Sequence, residues 1–201
     1  IDIVGNWNAF ETDQIKALYP SFKAKYFYSA YTKPDMTKVK KPLLKNGTNK
    51  ILKIFLGHNG YLDVNYKEII DFLFTIKKSH MFNVTCVLSY GDPEYIKFIL
   101  KYGKEKLGES FFPLVDFMDT DQYYAIFDSY DVFIFNSSLQ TGAGNVHQAL
   151  MMGKKVFLRE ENPLYCHFKQ QGLVFFSVNM LLKDISLLAD KFSLNDRYNN
   201  F

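Results

Sequence analysis

The chain has 201 residues, 48% hydrophobic and 17% aromatic, with 24 basic against 21 acidic side chains and a net charge of +3. That size and apolar content suit one well-buried domain with part of a second, and they exclude an unfolded chain because ample apolar surface offsets chain entropy. The small net charge also argues against a nucleic-acid partner, which would call for a concentrated basic face that releases counterions.

Ile1-Asp2-Ile3-Val4-Gly5 reads as a core strand without a leader, and with Ile in first place the chain reads as a piece of a longer protein. A helix over Thr12–Leu18 and a strand over Lys25–Tyr31 follow. Residues 33–50 form a polar stretch carrying Lys38, Lys40, Lys41, Lys45 and Lys50, read as an interdomain linker or surface loop, or as a basic contact to an anionic membrane surface. No apolar run approaches the roughly 20 residues of a spanning helix.

From residue 51 to the end, strands and helices alternate. Strands are predicted at Ile51–Leu56, Val84–Leu88, Phe111–Phe117, Val132–Phe135, Val156–Leu158 and Leu173–Phe176. Between them lie helical stripes: Ile69, Phe72, Leu73 and Ile76; Ile96, Ile99, Leu100 and Leu107 behind Pro93; Tyr123, Ile126, Phe127 and Tyr130; Val146, Ala149 and Leu150. A short helix over Pro163–Gln171 and a closing helix with Leu181, Ile185, Leu188 and Phe192 complete the series. Parallel neighbours need crossover helices, so this alternation predicts an α/β, Rossmann-like parallel sheet with helices on both faces. Cys86 and Cys166 fall in a buried strand and a helix without metal or redox spacing, which fits reduced thiols and a cytoplasmic setting.

In such sheets ligands bind beyond the carboxyl ends of the strands, which confines the search for chemistry to those loops. Gly57-His58-Asn59-Gly60 follows the first strand of the main domain; its glycines serve either a plain turn or a close approach of backbone to an anion. Gln140-Thr141-Gly142-Ala143-Gly144-Asn145 precedes a helix and reads as an N-cap loop or as an anion site with Thr141 and Asn145 as extra donors. Tyr90-Gly91 with Phe117-Met118 could wall a pocket for a planar base or merely close the core edge. Glu161-Asn162 could accept sugar hydroxyls or cap the next helix. His58 is the one histidine in a candidate loop, whereas His80, His147 and His167 fall on segments read as helical. Neither dinucleotide fingerprint nor P-loop is present, nor a zinc-protease, serine-hydrolase or Cys/His metal pattern, so no metal and no cofactor is expected.

In order and spacing, Ile54-Phe55-Leu56-Gly57-His58-Asn59-Gly60, Tyr90-Gly91 with Tyr95-Ile96, Phe117-Met118-Asp119 with Tyr124, Asp131-Val132-Phe133-Ile134-Phe135, Gln140 with Gly142-Ala143-Gly144, and Gly153 with Glu161-Asn162-Pro163 resemble the carboxyl-terminal half of the bacterial 4-alpha-L-fucosyltransferase family. Those enzymes are TDP-N-acetylfucosamine:lipid II N-acetylfucosaminyltransferases, and the resemblance spans about residues 15 to 180.

The resemblance implies a GT-B glycosyltransferase whose carboxyl-terminal domain, residues 51–201 here, binds a nucleotide-sugar donor, with residues 1–32 a remnant of the acceptor domain and 33–50 the linker. It implies that Gly57, Asn59, Gly60, Thr141, Gly142, Gly144 and Asn145 hold the donor diphosphate. Tyr90, Gly91, Phe117, Met118, Gln140, Gln148, Glu161 and Asn162 would line the nucleotide and sugar pocket, and His58 is the local candidate for a catalytic role. Gln148 stands where many GT-B enzymes carry a ribose-binding carboxylate; an amide suits the single free ring hydroxyl of a deoxyribose, hence a TDP-sugar. The implied acceptor is a polyprenyl-diphosphate-linked saccharide, reached peripherally from the cytoplasmic face of the inner membrane. Another donor such as a UDP-sugar, or a non-catalytic nucleotide-sugar-binding module, stays open.

Overall fold

The computed structural model describes residues 3–28, 51–189 and 192–200. The first segment is β1 (Ile3–Asn6), α1 (Ala9–Leu18) and β2 (Lys25–Tyr28), the two strands pairing in parallel from Ile3 opposite Lys25 to Asn6 opposite Tyr28. Helix α1 begins where Asn8 Oδ1 accepts from the Phe10 N–H, the usual way to satisfy a free helix donor. The expected strand to Tyr31 ends at Tyr28 as described, and the remainder, like the lysine-bearing stretch 33–50, lies outside the described residues.

The main sheet comprises β3 (Leu52–Leu56), β4 (Phe82–Val87), β5 (Phe111–Leu114), β6 (Val132–Phe135), β7 (Lys155–Leu158) and β8 (Phe176–Ser177), all parallel, in the order β5-β4-β3-β6-β7-β8. Helices α2 (Tyr66–Ile76), α3 (Pro93–Leu107), α4 (Thr120–Ile126), α5 (Ala143–Met151), α6 (Pro163–Gln170), α7 (Val178–Leu181), α8 (Ser186–Ala189) and α9 (Leu194–Asn199) connect and close it. Every residue of β6 and β7 is buried, because helices cover both faces of these inner strands. Alternation along β3 sends Ile54 and Leu56 to one face, against Ile69 and Leu73 of α2 and Ile99 of α3. Phe55 goes to the other, where Phe127, Phe133, Val146 and Leu150 form the second half of the core. Phe55 there lies 4.9 Å from Phe127 and 5.0 Å from Phe133, centroid to centroid.

Helix starts follow local chemistry. Asp92 Oδ1 accepts from the Tyr95 N–H ahead of Pro93, and Asp119 Oδ1 accepts from Gln122 N–H at the start of α4. Four sequence expectations shift. The third strand stops at Leu114, the last residue with a partner on β4, because β5 is an edge strand. The expected strand at Leu173–Phe176 moves to Phe176–Ser177: the Asn200 side chain takes both backbone hydrogen bonds of Val174 at 2.7 Å, replacing a strand neighbour. The single closing helix breaks into α7 and α8, with Asp184 Oδ1 accepting from the Ser186 N–H and Oγ and so competing with the helical backbone. His80 lies past the end of α2, not on it.

Among the described residues no helix is long and apolar enough to cross a membrane. Residues 3–28 lie against the main domain through α1 and α6, with Trp7 edge-on to His167 at 4.9 Å.

Phe55 is fully buried in an aromatic cluster that bridges β3, β6 and the turn after α4. Phe55→Ala removes its transfer free energy and leaves a cavity, so urea unfolding should show a loss of about 3–5 kcal/mol with an unchanged m-value.

Candidate functional site

The chain runs outward from β3 through β4 to β5, then returns to the far side of β3 to form β6. The switch point between β3 and β6 is where crossovers leave in opposite directions and open a crevice beyond the strand ends. The two loops that bound it are residues 57–65 after β3 and 136–142 after β6; the first holds one glycine-bearing segment singled out in the sequence, and the second leads into the other, whose Ala143, Gly144 and Asn145 open α5.

Gly142 joins them. It is the N-cap of α5, has φ +70°, and a Cβ built on it would lie 2.8 Å from Cγ and Nδ1 of His58. Only a residue without a side chain can hold that left-handed backbone and let the imidazole close against it. No side chain caps α5, so its first-turn N–H groups, contributed by Ala143, Gly144 and Asn145, stay open to an anion.

His58 itself is 4% exposed, and neither ring nitrogen has a hydrogen-bond partner. The amide oxygen of Gln140, in the same loop, is likewise buried without one. Buried polar atoms are nearly always paired, so two orphans beside an open helix N-terminus make this crevice the candidate site. Burial pushes the His58 pKa from its usual 6.5 down to about 4, with the Asp63 carboxylate acting in the opposite direction. The imidazole is therefore neutral at physiological pH and a weak base.

Two polar clusters fix the rim. Asp63, in a 3-10 turn over Leu62–Val64, accepts hydrogen bonds from Ser137 Oγ at 2.9 Å and Thr141 Oγ1 at 3.0 Å, clamping the β6 loop to the β3 loop. Glu68 of α2 accepts from Asn65 and Asn136 side chains at 2.7 and 2.9 Å and pairs with Arg159 at the end of β7. Arg159 Nε also lies 3.3 Å from Glu161, whose carboxylate further accepts from Asn179 at 3.1 Å; partial burial raises the Glu161 carboxyl, but its own backbone N–H, Asn179 and Arg159 together hold it below the usual range.

Of the residues expected here, Gly57, His58, Asn59 and Gly60 surround the crevice together with Gln140, Thr141, Gly142, Gly144 and Asn145. Asn59 Oδ1 is used in a turn, accepting from Tyr61 N–H, and Thr141 turns its hydroxyl to Asp63. Gly60 and Gly91 form a parallel bridge, with Gly60 N–H donating to Tyr90 O at 2.6 Å. A Cβ on Gly91 would strike Gly60 backbone at 2.4 Å, so this close approach draws the β4 loop to the crevice. Tyr90 is 48% exposed and stands edge-on to Tyr61, an aromatic the sequence reading passed over. Phe117 is 78% exposed on the loop before α4. Gln148 is buried on α5, one turn beyond Asn145 on the same side. Asn162 caps α6 and donates its amide to the carbonyls of Ser137 and Leu139 at 2.9 and 2.7 Å, so it builds the loop. Asp63, Glu68, Asn136, Ser137 and Arg159 were missed; their common signal is position, immediately beyond β6 and β7, in the turn that leads into α2 or at its start.

The buried neutral His58 sets a pH dependence. Its pKa is depressed on folding, so the unfolded chain binds more protons between pH 6.5 and about 4, and stability falls as pH drops through that window. By linkage the loss reaches up to about 3 kcal/mol near pH 4. In urea unfolding series from pH 7.5 to 4.5, His58→Gln should flatten this slope; an unchanged slope would assign the acid sensitivity to other groups.

No protein-family model matches the chain, and no curated protein matches it. Among solved structures, a glycosyltransferase from Rickettsia africae ESF-5 aligns over 99% of this chain and 57% of its own, with TM-score 0.69 and 12% identity. OtsA in its apo form aligns over 99% of this chain and 55% of its own, with TM-score 0.68 and 11% identity. The C-terminal domain of a group 1 family glycosyl transferase from Francisella tularensis aligns over 74% of this chain and 82% of its own, with TM-score 0.50 and 11% identity. This chain thus spans little more than half the length of the first and second of these. At such identities the likeness is one of fold: the chain has the Rossmann-like α/β architecture that GT-B glycosyltransferases share.

Proposed function

We propose that the chain is the donor-binding portion of a glycosyltransferase, holding a nucleotide-sugar at the crevice between β3 and β6. The observation that carries this reading is the open N-terminus of α5 at Gly142, faced by the unpartnered, buried His58 at the switch point of the sheet. The diphosphate would lie against the N–H groups of Gly144 and Asn145, with Gly57, Asn59, Gly60 and Thr141 closing around it. As charge grows on the departing diphosphate, the helix N-terminus and the backbone of the two loops stabilise it, and they need little reorganisation to do so. Tyr90 and Tyr61 offer exposed aromatic faces for the base, and Glu161, oriented by Arg159 and Asn179, offers an acceptor to sugar hydroxyls.

The finer reading rests on the resemblance to the 4-alpha-L-fucosyltransferase family: a TDP-linked 4-amino-4,6-dideoxy sugar passed to a hydroxyl of a polyprenyl-diphosphate-linked saccharide, in bacterial surface polysaccharide synthesis. The enzyme would act at the cytoplasmic face of the inner membrane, held there peripherally. An acceptor-side base would come from residues beyond the crevice, because His58 faces the diphosphate end. The buried Gln148 amide favours a deoxyribose with one free hydroxyl.

Calorimetric titration with TDP, UDP and GDP should show TDP binding tightest; equal or tighter binding of UDP would replace the TDP-sugar with another donor, and no binding by any would remove the donor-site reading. Gly142→Ala strains the N-cap and pushes on His58, so the same titration should show affinity lowered by about tenfold or more, equivalent to at least about 1.4 kcal/mol.

A further inference from the structure

We propose that His58 takes up a proton when a diphosphate docks on α5, so that donor and proton bind together and the imidazolium becomes the counter-charge of the phosphates. This rests on the donor-site reading above and concerns how that site neutralises its ligand.

Three features of the fold converge on it. The ring is sealed beneath the crevice, 4% exposed, with both nitrogens free of partners and with Gly142 against it. The strong cation of the neighbouring network, Arg159, is already committed to Glu68 and Glu161. The charged group that faces His58 is the Asp63 carboxylate of the 3-10 turn, which also takes the hydroxyl hydrogens of Ser137 and Thr141. From α2, Tyr66 places its hydroxyl under Gly57, hydrogen-bonded to the carbonyls of Asn59 and Val87, and burial keeps it protonated. The loop before α5 contributes Gln140 and Thr141, which carry no charge.

In the free protein desolvation outweighs Asp63 and the imidazole stays neutral, with its pKa at about 4. A diphosphate brings two negative charges to the helix end against which the ring packs, and opposite charge at about 4–6 Å favours the charged form. The proton comes from hydronium or the buffer acid, whose O–H or N–H bond breaks, leaving water or buffer base as the lone pair of the unprotonated ring nitrogen takes it up. Protonation makes donors of both ring nitrogens, which the free protein leaves without partners.

The test is calorimetric titration of the 201-residue chain with TDP-glucose and, separately, UDP-glucose. Their diphosphates are diesters with no group that titrates near neutrality. Runs at pH 6.5 in two buffers of different ionisation enthalpy count the protons. The expected result is uptake of a large fraction of one proton, with affinity falling by up to about tenfold per pH unit between pH 5 and 7. His58→Gln should abolish the uptake and flatten the pH profile. Binding without uptake, or uptake unchanged in the variant, overturns the coupling and leaves the donor site standing. Failure of both sugar nucleotides to bind overturns the donor site and the coupling with it. Should His58→Gln not fold, the imidazole resonances of histidine-labelled wild-type protein decide: the His58 midpoint must rise from about 4 toward neutrality with ligand, and a midpoint that stays put overturns the proposal.

Discussion

Parallel strands cannot be joined by hairpins. Each step from β3 to β8 must leave its strand end, cross a face as a helix and return to the opposite end of the sheet, and the crossover has one preferred hand. When the chain reverses its direction across the sheet between β5 and β6, the crossovers change faces, and α4, α5 and α6 pack on the side of Phe55 opposite α2 and α3. The crevice beyond β3 and β6 is the geometric residue of that reversal. Both halves of the core, the exposure of the α5 N-terminus and the meeting of the two glycine loops depend on it.

Opening a crevice at strand ends leaves backbone and side-chain polar groups short of secondary-structure partners, and the chain resolves most of this with two local clusters. Asp63 ties the β6 loop to the β3 loop through two hydroxyls, and Glu68 with Arg159 ties α2 to the ends of β6 and β7. Each carboxylate is surrounded by donors, which offsets the desolvation it suffers on partial burial. Against this well-satisfied rim, His58 and Gln140 stand out by their buried atoms without hydrogen-bond partners.

The sheet was legible because β3, β4, β6 and β7 are apolar runs of strand length separated by amphipathic helices of ordinary length, and both signals are local. The failures came where a long-range partner overrode local pattern. Val174 reads as strand, yet Asn200, distant in sequence, takes its backbone hydrogen bonds. Leu181, Ile185 and Leu188 share helical spacing, yet Asp184 breaks the helix between them. In the site, the glycines were visible because a turn between strand and helix demands them. Asp63, Ser137 and Arg159 were not, since a lone carboxylate, hydroxyl or guanidinium in a loop carries no periodic signal.

What the sequence by itself determined is the kind of structure and the loops worth watching: short apolar runs alternating with stripes of period 3.6 specify a parallel α/β sheet, and such sheets bind ligands at their strand ends. The tertiary structure decided which of those loops meet. Strand order depends on where each crossover docks, a property of packed faces, and it alone put His58 of one loop against Gly142 of another, 84 positions further along the chain. The same packing removed water from the imidazole, turning an ordinary loop histidine into a buried, neutral base.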